Sequence, residues 1–273
     1  MHKDIDDVEF TIFDTETTGL NWQTGDRIVE IAGLRFKGKE RIATFSSLVN
    51  PGQPVSEAAF AVNRITLQML QSAREPKEVI LQFLEFIRGS CLCSYNAEFD
   101  LGFLNNELKL ISLPAVNNMV VFDLLTMAKR LIPGLSRYAL WFVADKLGVK
   151  SKQEHRAFSD VEMTWDVFGK LKAICQAKGI TDFAGFSNLF AFNPGLLESF
   201  NEQKASKIRE CIDLKATLKI RYLSTHSAEV TERQVIPKEI KQDKGHKYLA
   251  GYCCLKKEER TFRIDNILSL EIV

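Results

Sequence analysis

Apolar and polar positions follow two different periods along the chain, and the change between them marks its organisation. Residues 8–13 alternate and end at Asp14, and residues 27–36 and 41–49 are rich in β-branched and aromatic side chains. Lys37-Gly38-Lys39 supplies the turn between these last two, so three strands with a hairpin are predicted. Pro51-Gly52-Gln53-Pro54 breaks the chain, and spacings of three and four take over. Val79, Phe83, Phe86 and Ile87 form an apolar stripe behind Pro76, a residue suited to a first helical position. A short strand over 91–95 then leads into a helix carrying Phe99, Phe103 and Leu104. A second short strand, 119–122, ends at Asp123 before a helix over 124–131 that Pro133-Gly134 stops. Ser136 is placed to cap a helix running to about 147, and a long amphipathic helix is predicted over 158–177, ending at Gly179. Antiparallel strands followed by strands alternating with helices predict an α/β fold, a mixed five-stranded sheet flanked by helices.

Residues 180–200 are aromatic without clear periodicity and contain Asn193-Pro194-Gly195, so they read as a linker packed against one or both neighbours. After them a helix near 202–214 precedes short strands at 217–223, 229–240, 247–254, 261–264 and 268–273. Short strands separated by Gly245 and charged turns predict a small β-barrel. The expected division is a first domain over 1–179, a linker over 180–200 and a second domain over 201–273.

Composition changes this picture little. The 273 residues are 45% apolar and 26% charged, ordinary for a globular protein. No run of eighteen apolar residues is present and the first seven residues are too acidic for a secretory signal, so a cytoplasmic protein without a membrane segment is expected. The six cysteines include no CxxC pair and no histidine at zinc spacing, which predicts reduced core thiols. Charge is uneven. Residues 201–273 hold 15 Lys and Arg against 11 Asp and Glu, a net +4, whereas the overall +1 leaves −3 on residues 1–200. The basic footprint of a nucleic-acid protein is therefore confined to the tail, and any such role for the larger part needs cations to offset its carboxylates.

Three motifs supply candidate chemistry. In Phe13-Asp14-Thr15-Glu16-Thr17-Thr18-Gly19-Leu20, strand geometry puts Asp14 and Glu16 on one face where the strand runs out, and two carboxylates so placed repel unless a cation lies between them. In Tyr95-Asn96-Ala97-Glu98-Phe99-Asp100, one helical turn separates Asn96 from Asp100; an N-cap role for Asn96 is the simpler alternative. In His155-Arg156-Ala157-Phe158-Ser159-Asp160, the spacing of His and Asp suits a histidine in the loop ahead of a helix that carries Asp160 in its first turns. Asp123 also ends a strand, but the helix behind it makes N-capping the better assignment.

These motifs, in this order, resemble the DEDDh family of 3′→5′ exonucleases over roughly residues 8–178, supported by Ser56-Glu57-Ala58-Ala59-Phe60, Ile65-Thr66 and Val121-Phe122-Asp123. The related class with tyrosine in place of histidine would need Tyr where Arg156 stands. The resemblance implies an RNase H-like fold, with Asp14, Glu16, Asp100 and Asp160 as catalytic ligands for two Mg²⁺ or Mn²⁺ ions and His155 as general base. It implies hydrolysis at DNA 3′ ends that releases nucleoside 5′-monophosphates, a role in DNA repair, and a terminal-nucleotide pocket formed by Thr17, Leu20, Asn96 and Phe99, with Ile65 touching the base. Hard oxygen ligands suit such cations, and imidazole suits proton removal near neutral pH. Asn63-Arg64 stands where family members often carry His-Gly, and Tyr95 where they often carry His; both departures bear on substrate preference and rate.

In the tail, Arg233-Gln234-Val235-Ile236-Pro237, Lys247-Tyr248-Leu249-Ala250-Gly251-Tyr252 and Arg260-Thr261-Phe262-Arg263-Ile264-Asp265 resemble WYL domains, small Sm-like or SH3-like barrels that bind anionic ligands or single-stranded nucleic acid. Lys247 replaces the name-giving Trp. Arg233, Tyr248, Arg260 and Arg263 are the candidate anion or nucleic-acid contacts, against the alternative of ordinary solvated charges. Three functions remain open at this point: a DNA exonuclease, an exoribonuclease on RNA or short oligonucleotides, and a non-catalytic nucleic-acid-binding regulator. Nucleic acid, DNA ahead of RNA, is the expected partner, with a protein of DNA metabolism or an anionic ligand as the tail's own partner.

Overall fold

Alternating apolar residues build β1 (Glu9–Thr17), and β-branched and aromatic residues build β2 (Ile28–Lys37) and β3 (Glu40–Leu48), the three joined as antiparallel neighbours. The computed structural model describes residues 3–116, 118–150, 153–192 and 194–273, so His2 and Asn193 lie outside it. Helices α1 (Glu57–Asn63), α2 (Leu67–Gln71) and α3 (Pro76–Ile87) follow, the last with Pro76 in its first turn. The chain then alternates: β4 (Cys91–Ser94), α4 (Ala97–Leu110), β5 (Val121–Asp123), α5 (Leu124–Leu131), α6 (Leu140–Lys146) and α7 (Ala157–Ala177). The sheet order is β3-β2-β1-β4-β5, with β4 and β5 parallel to β1, which is the mixed five-stranded arrangement expected.

Period-two alternation along β1 sends its side chains into two different cores. Phe10 and Ile12 face α7 and pack with Phe122 and Phe168, whereas Phe13 joins Phe83 and Phe103 on the side of α3 and α4. Phe10 lies 5.2–6.4 Å, centroid to centroid, from the rings of Phe36, Phe122, Phe168, Phe183 and Phe186. Truncating a ring so enclosed costs about 3–5 kcal/mol. The strand that carries the first two carboxylates is thus clamped on both faces.

Three local expectations change. The segment 180–200 is not irregular: α8 (Phe183–Phe190) is capped by Asp182, whose carboxylate accepts from Gly185 N at 2.8 Å, and buries Phe186, Leu189 and Phe190 in the core around Phe10. Only two turns long and rich in aromatic residues, such a helix shows too few repeats for its period to be read. The next helix, α9 (Pro194–Asp213), starts at its proline rather than near 202. Ser136 does not cap a helix; α6 begins at Leu140 behind Ala139. Tyr138 explains this, because its hydroxyl donates to Ile132 O and accepts from Leu135 N, while its carbonyl accepts from the Tyr95 hydroxyl. These bonds tie the preceding residues into a loop.

The tail forms β6 (Leu218–Leu223), β7 (Val230–Asp243), β8 (His246–Cys253), β9 (Glu258–Arg263) and β10 (Ile267–Ile272), antiparallel in the order β10-β6-β7-β8-β9. The last strand returns beside the first, and a register shift between Pro237 and Glu239 bends β7. Gly251 lies opposite that bend, where a Cβ would stand 2.4 Å from the Ile236 carbonyl oxygen. Ala205, Ile208 and Cys211 of α9 cover this sheet's own core. The tail is tied back by Arg130, which reaches Leu189 O at 2.6 Å and Asp265 at 3.0 Å. All six cysteines are free, and burial pushes the thiol of Cys91 up to about 11. Among the described residues no helix is long and apolar enough to cross a membrane.

Candidate active site

The ladder between β1 and β4 ends at Ile12 and Cys93. Beyond it β1 continues without a parallel neighbour, so a cleft opens at the carboxyl ends of β1, β4 and β5, the usual place for a site in a sheet of this kind. Asp14 and Glu16 continue the face of Phe10 and Ile12, toward α7. Asp160 lies in the first turn of α7, and oxygen atoms of Asp14, Glu16 and Asp160 all stand within 4.8 Å of one another.

The first turn of α7 is held from β2. Glu30, paired with Glu16 across the β1–β2 ladder and only 4% exposed, accepts from Arg156 Nε at 3.0 Å and Nη2 at 2.7 Å. It also accepts from Ala157 N at 3.1 Å, occupying a donor that the helix start leaves free. Asp160 itself accepts from Gln153 Nε2 at 2.7 Å through Oδ2, while its buried Oδ1 has no hydrogen-bond partner among the described residues.

Asp100 arrives from the other layer. Its Oδ1 accepts from Thr15 N at 2.9 Å and Thr15 Oγ1 at 2.7 Å, and its Oδ2 from the Ser94 hydroxyl. Thr15 points away from Asp14 and Glu16, so Asp100 is anchored across the strand from them and is not in the close trio. Its charge nevertheless acts on Asp14.

Four acids this close and this buried resist ionising together. Burial, then the charges of Asp100, Asp160, Glu16 and Glu30, holds the Asp14 carboxyl well above the usual carboxylate range. Burial, then Asp160, Glu30 and Asp100, pushes Glu16 up to about 8, a rise that a hydrogen bond from Asn63 opposes. Burial raises Asp100 to about 6 against the hydrogen bonds from Ser94 and Thr15. Asp160 is raised by burial and lowered by Gln153 and His155. The trio, the unpartnered Oδ1 and the uncompensated charge fit divalent cations held by oxygen ligands.

His155 is exposed and sits just ahead of α7 with a positive φ of 53°. It lines a cleft of about 440 Å³ with Asp14, Tyr95, Asn96, Leu125 and Gln153. Asn96, also at positive φ (76°), makes no side-chain cap for α4, so its amide is left facing that cleft. Leu20 is 84% exposed, Phe99 is half-buried against Phe103 at 4.8 Å, and the Thr17 hydroxyl donates to Gly19 O at 2.5 Å. Ile65 corrects an expectation: it is 0% exposed, packed with Val29 and Leu70, and presents no surface to a base. Asn63 beside it fixes the turn, accepting from Ile65 N at 3.0 Å. Asp123 caps α5 through Leu125 N and Thr126 N and also accepts from Asn96 N and Ala97 N, so it joins two helix starts.

Glu30, Arg156, Ser94 and Gln153 were not singled out from the sequence. Only Glu30 carried a signal, as one acid inside the apolar run Ile28-Val29-Glu30-Ile31-Ala32.

In the tail, Arg233, Tyr248, Arg260 and Arg263 line one groove of about 740 Å³. Arg233 Nη1 is buried and unpartnered among the described residues, whereas Arg260 and Arg263 have acidic neighbours in Glu258 and Asp265. Lys247, at the position of the missing Trp, pairs with Glu202 of α9.

Comparison with known proteins agrees with this architecture. The model of the exonuclease family matches residues 11–168, and that of the WYL domain matches residues 203–272. The DNA polymerase III subunit epsilon of Treponema pallidum is 39% identical over 163 residues, which cover 59% of this chain and 75% of that protein. The PolC-type DNA polymerase III of Caldanaerobacter subterraneus is 36% identical over 172 residues, 63% of this chain but only 12% of that much longer protein. In fold, the nuclease domain of 3′hExo, a DEDDh family member bound to rAMP, superposes with a TM-score of 0.55 at 17% identity, covering 63% of this chain and 94% of that one. Exonuclease I from Methylocaldum szegediense gives 0.59 at 16% identity, covering 90% and 54%. The chain belongs to the exonuclease family and carries a WYL domain at its C-terminal end.

Proposed function

We propose that the chain is a metal-dependent 3′→5′ exonuclease that releases nucleoside 5′-monophosphates from DNA. The observation that carries this reading is the trio Asp14, Glu16 and Asp160, with oxygens within 4.8 Å of one another and one buried oxygen of Asp160 unpartnered among the described residues. These three, with Asp100, would hold two Mg²⁺ or Mn²⁺ ions. When bound, such ions polarise the scissile phosphate and offset the charge that builds on the attacking and leaving oxygens. Glu30 and Arg156 keep Asp160 and His155 in register with β1. His155, exposed at the cleft rim, accepts the proton of the attacking water at a ring nitrogen. The bond that breaks is the one to the 3′ oxygen of the penultimate nucleotide. Leu20 and Phe99 flank the terminal sugar and base, and Asn96 and Thr17 contribute polar contacts. DNA is favoured as substrate by the DNA polymerase III relatives, and the tail groove is a site for phosphate-bearing ligands.

The test is mononucleotide release from 3′-labelled single-stranded DNA, duplex DNA and RNA, with Mg²⁺ and with a chelator. Release should require the metal and be abolished in Asp14→Ala and Asp160→Ala. Undiminished release by either variant would remove the carboxylate site from the reaction, and faster release from RNA would overturn the choice of DNA.

A further inference from the structure

The inner side of α5 buries Leu124, Met127, Ala128 and Leu131, so helical geometry leaves Leu125, Thr126, Lys129 and Arg130 along its outer side. Leu125 lines the active-site cleft beside Tyr95 and Asn96. Thr126, Lys129 and Arg130 line a separate hollow of about 390 Å³, which Ser224, Thr225 and Arg263 share with the tail groove. One helical turn, about 6 Å of rise from Leu125 to Lys129, therefore separates the catalytic cleft from the start of the basic tail surface.

The chemistry of that hollow is one-sided. Its lining contains Lys129, Arg130, His246 and Arg263, the hydroxyls of Thr126, Ser224 and Thr225, and the Asn266 amide, with no carboxylate. Asp265, just behind, is shared by Arg130 at 3.0 Å and Arg263 at 2.5 Å, so one acid serves two guanidinium groups. Lys129 is exposed and makes no ion pair among the described residues. Thr126 and Asn266 already donate inward, to Asp123 Oδ2 at 2.6 Å and to Leu223 O at 2.9 Å, so the exposed Lys129 ammonium and Thr225 hydroxyl are what the hollow offers to a chain of phosphates. The rings of Tyr222 and Tyr248 in the groove beyond suit unpaired bases.

Resting on the exonuclease reading, we propose that the outer side of α5 joins the cleft and the tail groove into one track for single-stranded nucleic acid. The 3′ end occupies the cleft, the next phosphates pass Thr126, Lys129 and Thr225, and the upstream strand lies in the groove with Arg233 and Tyr248. The tail thereby measures substrate length: strands too short to reach it forgo its contribution to binding.

Fluorescence anisotropy on the full chain in a metal chelator, with oligodeoxynucleotides of about 4 to about 16 nucleotides, tests this directly. Affinity should rise with length and then level off. Lys129→Glu and Thr225→Asp, both at exposed positions, should weaken binding of the longest strand about tenfold and flatten the rise. Lys129→Glu should also lower the salt slope by about 0.7 for every phosphate that is no longer neutralised. Lys77→Glu, exposed on α3, should reproduce the original length profile. Equal binding of all lengths by Lys129→Glu, Thr225→Asp and the unaltered protein overturns the track. Parallel hydrolysis assays with Mg²⁺ separate the two readings. Hydrolysis without length-dependent binding sinks the track alone, and length-dependent binding that the two variants abolish, without hydrolysis, upholds the track while sinking the exonuclease reading.

Discussion

Arg64 occupies a left-handed conformation (φ 58°, ψ 20°) as the C-cap of α1, a place where glycine avoids the clash of a side chain. Its side chain is exposed, so little offsets the backbone strain. Arg64→Gly should raise stability by about 0.5–1 kcal/mol, read from the urea midpoint; a lowered midpoint would mean that the arginine makes contacts worth more than the strain. The neighbouring Asn63 is buried, holds the turn and donates to Thr17 O at 3.3 Å, so the departure from His-Gly at this pair has one surface residue and one structural residue. At His155 the expected effect is chemical. His155→Ala should slow hydrolysis by about 10²–10⁴-fold while leaving binding of single-stranded DNA in chelator unchanged. A rate within a few-fold of the original would assign proton removal elsewhere.

Helix α7 depends on a side chain that is remote in sequence. Glu30 pairs with Arg156 and accepts from Ala157 N, so β2 sets where the helix starts and therefore where Asp160 and His155 stand. Glu30→Ala leaves that guanidinium and that N–H without their partner, a loss of about 1–3 kcal/mol. Single-turnover rates at saturating Mg²⁺ and DNA should fall by up to about 10²-fold, because small displacements of reacting groups are costly. An unchanged rate alongside lowered stability would show that the pair serves folding alone. Elements differed in how far the sequence revealed them. Helix α5 was legible because one face is apolar and the other polar, and the strands β1 to β3 because β-branched and aromatic residues concentrate in them between turn signals. Helix α8 was not, since it spans only eight residues, and Phe186, Leu189 and Phe190 lie among other aromatic residues that mark no period over so short a stretch.

Across the whole molecule, the seam between the larger part and the tail concentrates buried charge. Lys204 of α9 is 8% exposed, and its ammonium donates to Ile264 O at 3.3 Å. Burial lowers its pKa from 10.5 to about 8, with Asp265 opposing the shift and Arg130 adding to it. Below pH 8 the lysine is charged in both folded and unfolded chains and the full cost of burying it is present. Between about 8 and 10.5 the unfolded chain binds more protons, so this group's contribution to stability rises with pH. Lys204→Met should therefore melt higher than the unaltered protein at pH 7, by on the order of 1–3 kcal/mol, with the gap closing toward pH 10.5. A gap independent of pH would mean that packing, not charge, is responsible.

The sequence by itself determined the strands β1 to β3, the alternation of β4, α4, β5, α5 and α7, the strand-end position of Asp14 and Glu16, the helical position of Asp160 with His155 in the loop before it, and the basic bias of the tail. These are consequences of local period, spacing and composition, which a linear chain carries openly. Tertiary structure decided what depends on through-space neighbours: that Asp100 is anchored to Thr15 on the far side of β1, that Glu30 sets the start of α7, that Ile65 is sealed in a core, and that α5 lies between two clefts. None of those contacts is encoded in the spacing of nearby residues, because each joins segments brought together only when the two cores close around the sheet.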